Sequence, residues 1–130
     1  MARPPQETPT AGELEVLKVL WERGPSTVRE VMEELNKHKQ RAYTSVMSLL
    51  NVMTDKGLVT REPQGRAFVY QAHPPREKTL GGMVNDLLGR AFEGSASALV
   101  AHLLDESKPS AAELEEIRRL IDAYEREGDK

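Results

Sequence analysis

Three stretches with helical hydrophobic spacing run up to Gly57, and the two short stretches after it alternate instead. Apolar side chains recurring every three or four residues call for a helix, whereas alternation calls for a half-buried strand. Helix, helix, helix and hairpin in close succession leave few ways to build one core.

Local signals place each element. Thr10 and Glu13 stand in capping-box order ahead of Leu14, Leu17, Leu20 and Trp21, and Gly24-Pro25 ends this helix at about Arg23. Trp21 lies on the inward stripe and is expected in the core. A second box, Thr27 and Glu30, opens a short helix with Val28, Val31, Met32 and Leu35 inward. A polar, basic connector follows at residues 36–41. The third helix runs from about Ala42 to Lys56, with Val46, Leu49, Leu50 and Met53 on one stripe and Gly57 as its stop. Residues 58–62 and 66–71 read as strands joined through Pro63-Gln64-Gly65, with Phe68 and Tyr70 alternating as in a half-buried ribbon. A hairpin after a trihelical unit is a wing.

His73-Pro74-Pro75 breaks the pattern. Beyond it, Leu80, Met83, Val84, Leu87, Leu88 and Ala91 form one helical stripe, and Ala96, Leu99, Val100, Leu103 and Leu104 a second. Pro109-Ser110 with Glu113 caps a third helix carrying Leu114, Ile117, Ile121 and Tyr124. Gly81-Gly82 falls inside the first stripe, where it reads as close helix packing or a weak point. So small a helical unit rarely buries its stripes alone, and a second copy is the economical cover. The fold class is therefore mainly α with a small β-hairpin. Residues 1–9 are a flexible arm, 10–73 a winged helix-turn-helix domain and 74–130 a three-helix dimerisation region. Leu80, Val84, Leu87, Leu88, Leu99, Val100, Leu103, Leu114, Ile117, Ile121 and Tyr124 are its expected contacts.

Charge is unevenly spread. The chain carries −3 overall, yet residues 37–66 hold six basic against two acidic side chains. Residues 1–36 hold four basic against seven acidic, and residues 75–130 eight against twelve. A basic middle in an acidic chain suits a polyanion surface. The absence of cysteine excludes a disulfide scaffold, a thiolate metal site and a cysteine nucleophile. With no long apolar run and no apolar core near Met1, neither a membrane span nor a secretory leader is expected, and the expected location is cytoplasmic.

Opposite its apolar stripe, the third helix presents Thr44, Ser48, Asn51 and Asp55, flanked by Met47, Ser45 and Val52. Small hydroxyls and an amide pack closely and read base edges or phosphates in a major groove. Asn51 has the groups to pair with adenine, and Met47 to touch a thymine methyl. Asp55 is expected outside the groove. Lys39, Gln40 and Arg41 lead into the helix, whose N-terminal dipole adds to their pull on a phosphate. Arg61, Gln64 and Arg66 flank the hairpin tip and suit backbone or minor-groove contact. His38, His73 and His102 are scattered, and the pair His102 and Glu106, at helical metal spacing, reads as a surface contact. No phosphate loop or nucleophile elbow is present, so no catalytic, metal or cofactor site is read.

The order of these residues resembles the BlaI/MecI family of penicillinase and methicillin-resistance repressors, which includes copper-responsive members. The likeness rests on residues 13–17 with Trp21, on Ala42-Tyr43-Thr44-Ser45-Val46, on Leu50-Asn51 with Lys56-Gly57-Leu58-Val59, and on Leu99-Val100. It implies a homodimeric repressor covering a dyad-symmetric DNA operator, with a recognition helix at 42–56 that includes Tyr43, a wing at 58–72 and a sensor protease as a further partner. Two departures matter. Copper-responsive relatives use Cys-x-Cys motifs, which this chain lacks. Relatives released by proteolysis are cut at an Asn-Phe bond, where this chain reads Ala101-His102-Leu103-Leu104, so the release signal stays open. The competing reading is a winged-helix protein-interaction module without sequence-specific DNA binding.

Overall fold

The computed structural model describes residues 8–128. The part of the expected arm before residue 8 lies outside them. The elements are α1 (Ala11–Arg23), β1 (Ser26–Thr27), α2 (Val28–Leu35), α3 (Tyr43–Lys56), β2 (Val59–Gln64), β3 (Ala67–Ala72), α4 (Arg76–Ala91), α5 (Ala96–Ser107) and α6 (Ala111–Gly128). The strands form one antiparallel sheet in the order β1-β3-β2.

Both capping boxes are closed. The Glu13 N–H donates to Thr10 Oγ1 at 3.2 Å while the Thr10 N–H donates to Glu13 Oε1 at 2.9 Å. Thr27 and Glu30 repeat the pattern at 3.2 and 2.9 Å. Ala42 caps α3 without a side-chain bond, and Gly57 ends it in the left-handed region at φ 80°, where a side chain would be strained. The three helices converge on one core of Val16, Leu17, Leu20, Val28, Val31, Leu35, Val46, Leu50 and Met53, closed by Leu58, Val59 and Tyr70 of the hairpin.

A charged clip crosses the edge of this core. Lys56 Nζ, at the end of α3, donates to Glu13 Oε2 in the first turn of α1 at 2.8 Å. Glu13 is only 2% exposed. Burial pushes its carboxyl up, but the hydrogen bonds from Lys56 and the Thr10 backbone outweigh that and hold it below the usual 4.5.

The hairpin differs from expectation in three respects. The register runs from Val59↔Ala72 to Gln64↔Ala67, so Pro63 and Gln64 are strand residues and Gly65-Arg66 is the turn. Gly65 has φ 63° and Arg66 does not share that hand, the pattern of a II′ hairpin. Proline is tolerated because β2 is an edge strand. Phe68 is 42% exposed rather than half-buried, because it lies on the tip side of Tyr70, where the ribbon has run past the core. An unforeseen strand, β1, pairs Ser26 with Tyr70 and Thr27 with Val69. Trp21, Met32 and Leu49 pack against this core and are partly buried.

The chain divides into two compact units between Asp86 and Leu87, inside α4. The first half of α4 belongs with the winged unit, where Thr79 is buried and the Arg76 guanidinium lies 5.9 Å from the centre of the Trp21 ring. In the second unit, Glu93 and Gly94 turn the chain with φ 50° and 83°. Ser95 and Ser110 cap α5 and α6 by accepting from the N–H groups of Ala98 and Glu113. No described residue of α5 or α6 is buried.

Candidate nucleic-acid interface

Because Val46, Leu50 and Met53 are committed to the core, the helical repeat turns the other side of α3 outward. Tyr43, Thr44, Ser45, Met47, Ser48, Asn51 and Val52 are all exposed there. The first five form the N-terminal half of a face narrow enough for a major groove, with hydroxyls, a thioether and a phenol but no carboxylate. Asp55 is exposed near the far end, beyond the rest.

The connector before α3 is shaped rather than slack. Asn36 Oδ1 accepts from the Arg41 N–H at 2.8 Å, folding residues 36–41 into a tight loop. Lys39 and Gln40 are exposed on it. Arg41, expected at a phosphate, instead donates to the Glu15 carboxylate of α1 and is only 18% exposed. That hydrogen bond outweighs desolvation and holds the Glu15 carboxyl below its ordinary value. Arg41 thus fixes the connector to α1, and Lys39 is the more exposed cation.

In the wing, Gln64 and Arg66 are exposed at the tip, and Arg66 has no ion-pair partner among the described residues. Arg61 is placed differently from the free tip cation expected of it. Its Nη1 donates to Asn51 Oδ1 at 3.2 Å, and its guanidinium carbon lies 4.3 Å from the centre of the Phe68 ring. The register explains this meeting. Arg61 opposes Tyr70 and Pro63 opposes Phe68, so these four side chains share one face of the ribbon. Tyr70 turns that face into the core; Phe68 and Arg61 extend it along the side of α3.

The second unit holds the expected pairing residues from Leu87 onward. Leu87, Val100, Leu103, Ile121 and Tyr124 are exposed, Tyr124 by 81%. Leu88, Leu99, Leu114 and Ile117 are half-buried. In the first half of α4, Leu80 is half-buried and Val84 exposed. Leu120, 64% exposed on α6, belongs to the same apolar set and was missed because its spacing falls beside the chosen stripe. Among the described residues, no cluster of His, Cys, Asp and Glu could hold a metal ion, and no helix is long and apolar enough to cross a membrane.

A trihelical core closed by a hairpin, with the third helix bared on its outer side, defines a winged helix-turn-helix protein. A family model described as penicillinase repressor matches residues 9–123. The chain belongs to that family. It is 34% identical over 114 residues to the transcriptional regulator BlaI of Mycobacterium tuberculosis, covering 85% of this chain and 81% of that one. It is 25% identical over 112 residues to the penicillinase repressor of Bacillus licheniformis, covering 86% and 88%. In fold it is similar to a transcriptional regulator of Thermotoga maritima, with a TM-score of 0.52 at 17% identity, over 93% of this chain and 80% of the other.

Proposed function

We propose that this chain is a sequence-specific DNA-binding transcriptional repressor that acts as a homodimer on a short dyad-symmetric operator. The observation that carries the reading is the bared face of α3, from Tyr43 to Asn51, set between an exposed cation on the connector, Lys39, and one at the wing tip, Arg66. The relatives named as repressors and regulators support it. Each subunit lays α3 in one major groove, about one helical turn from its partner's. Lys39 and Arg66 hold phosphates, and Tyr43, Thr44, Ser45, Met47, Ser48 and Asn51 face the bases and the groove wall. In this reading residues 10–73 bind DNA and residues 74–130 pair two copies in the cytoplasm.

The pairing has its own physical ground. Helices with no buried side chain do not hold together alone, and fully burying one large aliphatic side chain contributes about 1.5–3 kcal/mol. Covering Leu103, Leu120 and Ile121 with a second copy supplies the missing core. The sensor protease implied by kinship would cut within α5 at residues 101–104; an intact chain after incubation with it strikes that partner out.

The test is capture of sheared host genomic DNA by the full chain, followed by sequencing. A few promoters sharing a dyad are the expected result. Even recovery of all DNA, and only at low salt, would leave the protein-interaction module as the better reading.

A further inference from the structure

We propose that Arg61 is a positioning residue that sets which base Asn51 reads, turning it from adenine toward guanine. The inference rests on the DNA-binding reading above and on one constellation drawn from three elements: Asn51 on α3, Arg61 on β2 and Phe68 on β3.

An asparagine pairs with adenine by using both ends of its amide at once: Oδ1 accepts from N6 and Nδ2 donates to N7. Both ends must then face the same base edge. Here Arg61 Nη1 holds Asn51 Oδ1 toward the wing at 3.2 Å. The amide carbon is planar, so fixing its oxygen on the wing side directs Nδ2 away from it. Oδ1 keeps a second lone pair, but with the oxygen turned to the wing the group left facing the base edge is the Nδ2 donor. Guanine presents two acceptors in the major groove, N7 and O6, whereas adenine presents one acceptor and one donor that would meet another donor. An amide presenting its donor therefore favours guanine.

The arrangement is held from behind. The guanidinium carbon lies 4.3 Å from the centre of the Phe68 ring, within cation–π range. That contact also explains why Phe68 can stand 42% exposed at the end of the ribbon. A planar guanidinium can lie on a ring and present an edge N–H to a carbonyl together; an ammonium cannot keep both. Arg61 is accordingly engaged by protein groups on its face and its edge, unlike Arg66.

The experiment selects enriched duplexes from a randomised DNA library with the full-length wild type, Arg61→Ala, Arg61→Lys, Phe68→Leu and Asn51→Ala. The enriched duplex is then titrated at several salt concentrations. Wild type is expected to prefer guanine at one position of each half-site, with 7-deazaguanine there costing about two- to tenfold in affinity. Asn51→Ala removes the preference at that position alone. Arg61→Ala and Arg61→Lys both shift it toward adenine and leave the slope of affinity against salt unchanged. Phe68→Leu shifts it in the same direction by less, and it keeps the inference testable if Arg61→Ala does not fold.

A phosphate contact behaves otherwise. Uniform weakening of Arg61→Ala on every sequence, with the salt slope reduced by about one and Arg61→Lys near wild type, would overturn the proposal. So would adenine at the Asn51 position in the wild type. If the wild type enriches no sequence at all, the DNA-binding reading falls and this inference with it; if it enriches a dyad whose preferences Arg61 variants leave unchanged, only the inference falls.

Discussion

Replacing Lys56 by alanine strands the Glu13 carboxylate at the junction of α1 and α3. Glu13 is 2% exposed and Lys56 19%, with 2.8 Å between Nζ and Oε2. A hydrogen bond to a charged group contributes about 1.5–3 kcal/mol, and removing one partner of a buried ion pair costs about 3–5 kcal/mol. Two features put this site near the lower end. Lys56 leaves an opening to water, and the Thr10 N–H still serves Oε1 at 2.9 Å. The expected loss is about 2–3 kcal/mol at neutral pH. Urea unfolding at one fixed protein concentration measures it, with Trp21, the one tryptophan, as the fluorescent reporter on α1.

The pH dependence carries a sign. The folded-state pKa of Glu13 lies below its ordinary 4.5. Its contribution to stability is therefore fully present above about 4.5 and is lost as pH falls through the folded value. Lys56→Ala removes most of what lowers that pKa, so the gap between the two proteins should be widest near neutrality and close in acid. Glu15, Glu30 and Glu34 are also lowered, by Arg41, Thr27 and Lys37 in turn, but they shift both proteins alike and cancel in the difference. A gap under about 0.5 kcal/mol at pH 7, or one that stays constant into acid, would refute the clip as a stabilising element.

Arg66→Ala should weaken binding to operator and random duplex by the same factor and lower the salt slope by about 0.9, as read by titration at several salt concentrations. Thr27→Ala opens the second capping box and should cost about 1 kcal/mol in urea unfolding while leaving the α3 face intact. Leu103→Asp with Ile121→Asp places charge on the apolar faces of α5 and α6. Sedimentation should show a micromolar dimer become a monomer, and a wild type already monomeric there would remove the dimer from the proposal.

Much of the first unit could be read locally. Thr10-Glu13 and Thr27-Glu30 close hydrogen bonds three residues apart, so their meaning sits inside a short window. The buried stripe of α3 is equally local, and so is the outward placement of Tyr43 to Asn51 that follows from it. What escaped depends on distance along the chain. Ser26-Thr27 is a strand only because Tyr70 and Val69 lie beside it; two residues carry no periodicity of their own. Lys56 finds Glu13 across 43 residues, and neither residue looks unlike an ordinary surface charge. Arg61 looked like a free wing cation because its charge is visible in sequence, whereas the pairing of Pro63 with Phe68 that lays the ring beneath it is not. Arg41 misled in the same way, its partner Glu15 standing 26 residues earlier.

The absence of any buried side chain on α5 and α6 has a consequence for how such a repressor counts its own copies. If the core of that unit exists only between two chains, the DNA-competent species forms in proportion to the square of the chain concentration while dimers are scarce. Halving the number of chains then lowers that species roughly fourfold. Cell division, dilution or a burst of turnover would register at the operator as a sharper fall than the loss of protein itself. In the homodimer proposed above, the exposed apolar helices would act as a threshold element, converting gradual changes in abundance into steep changes in promoter occupancy.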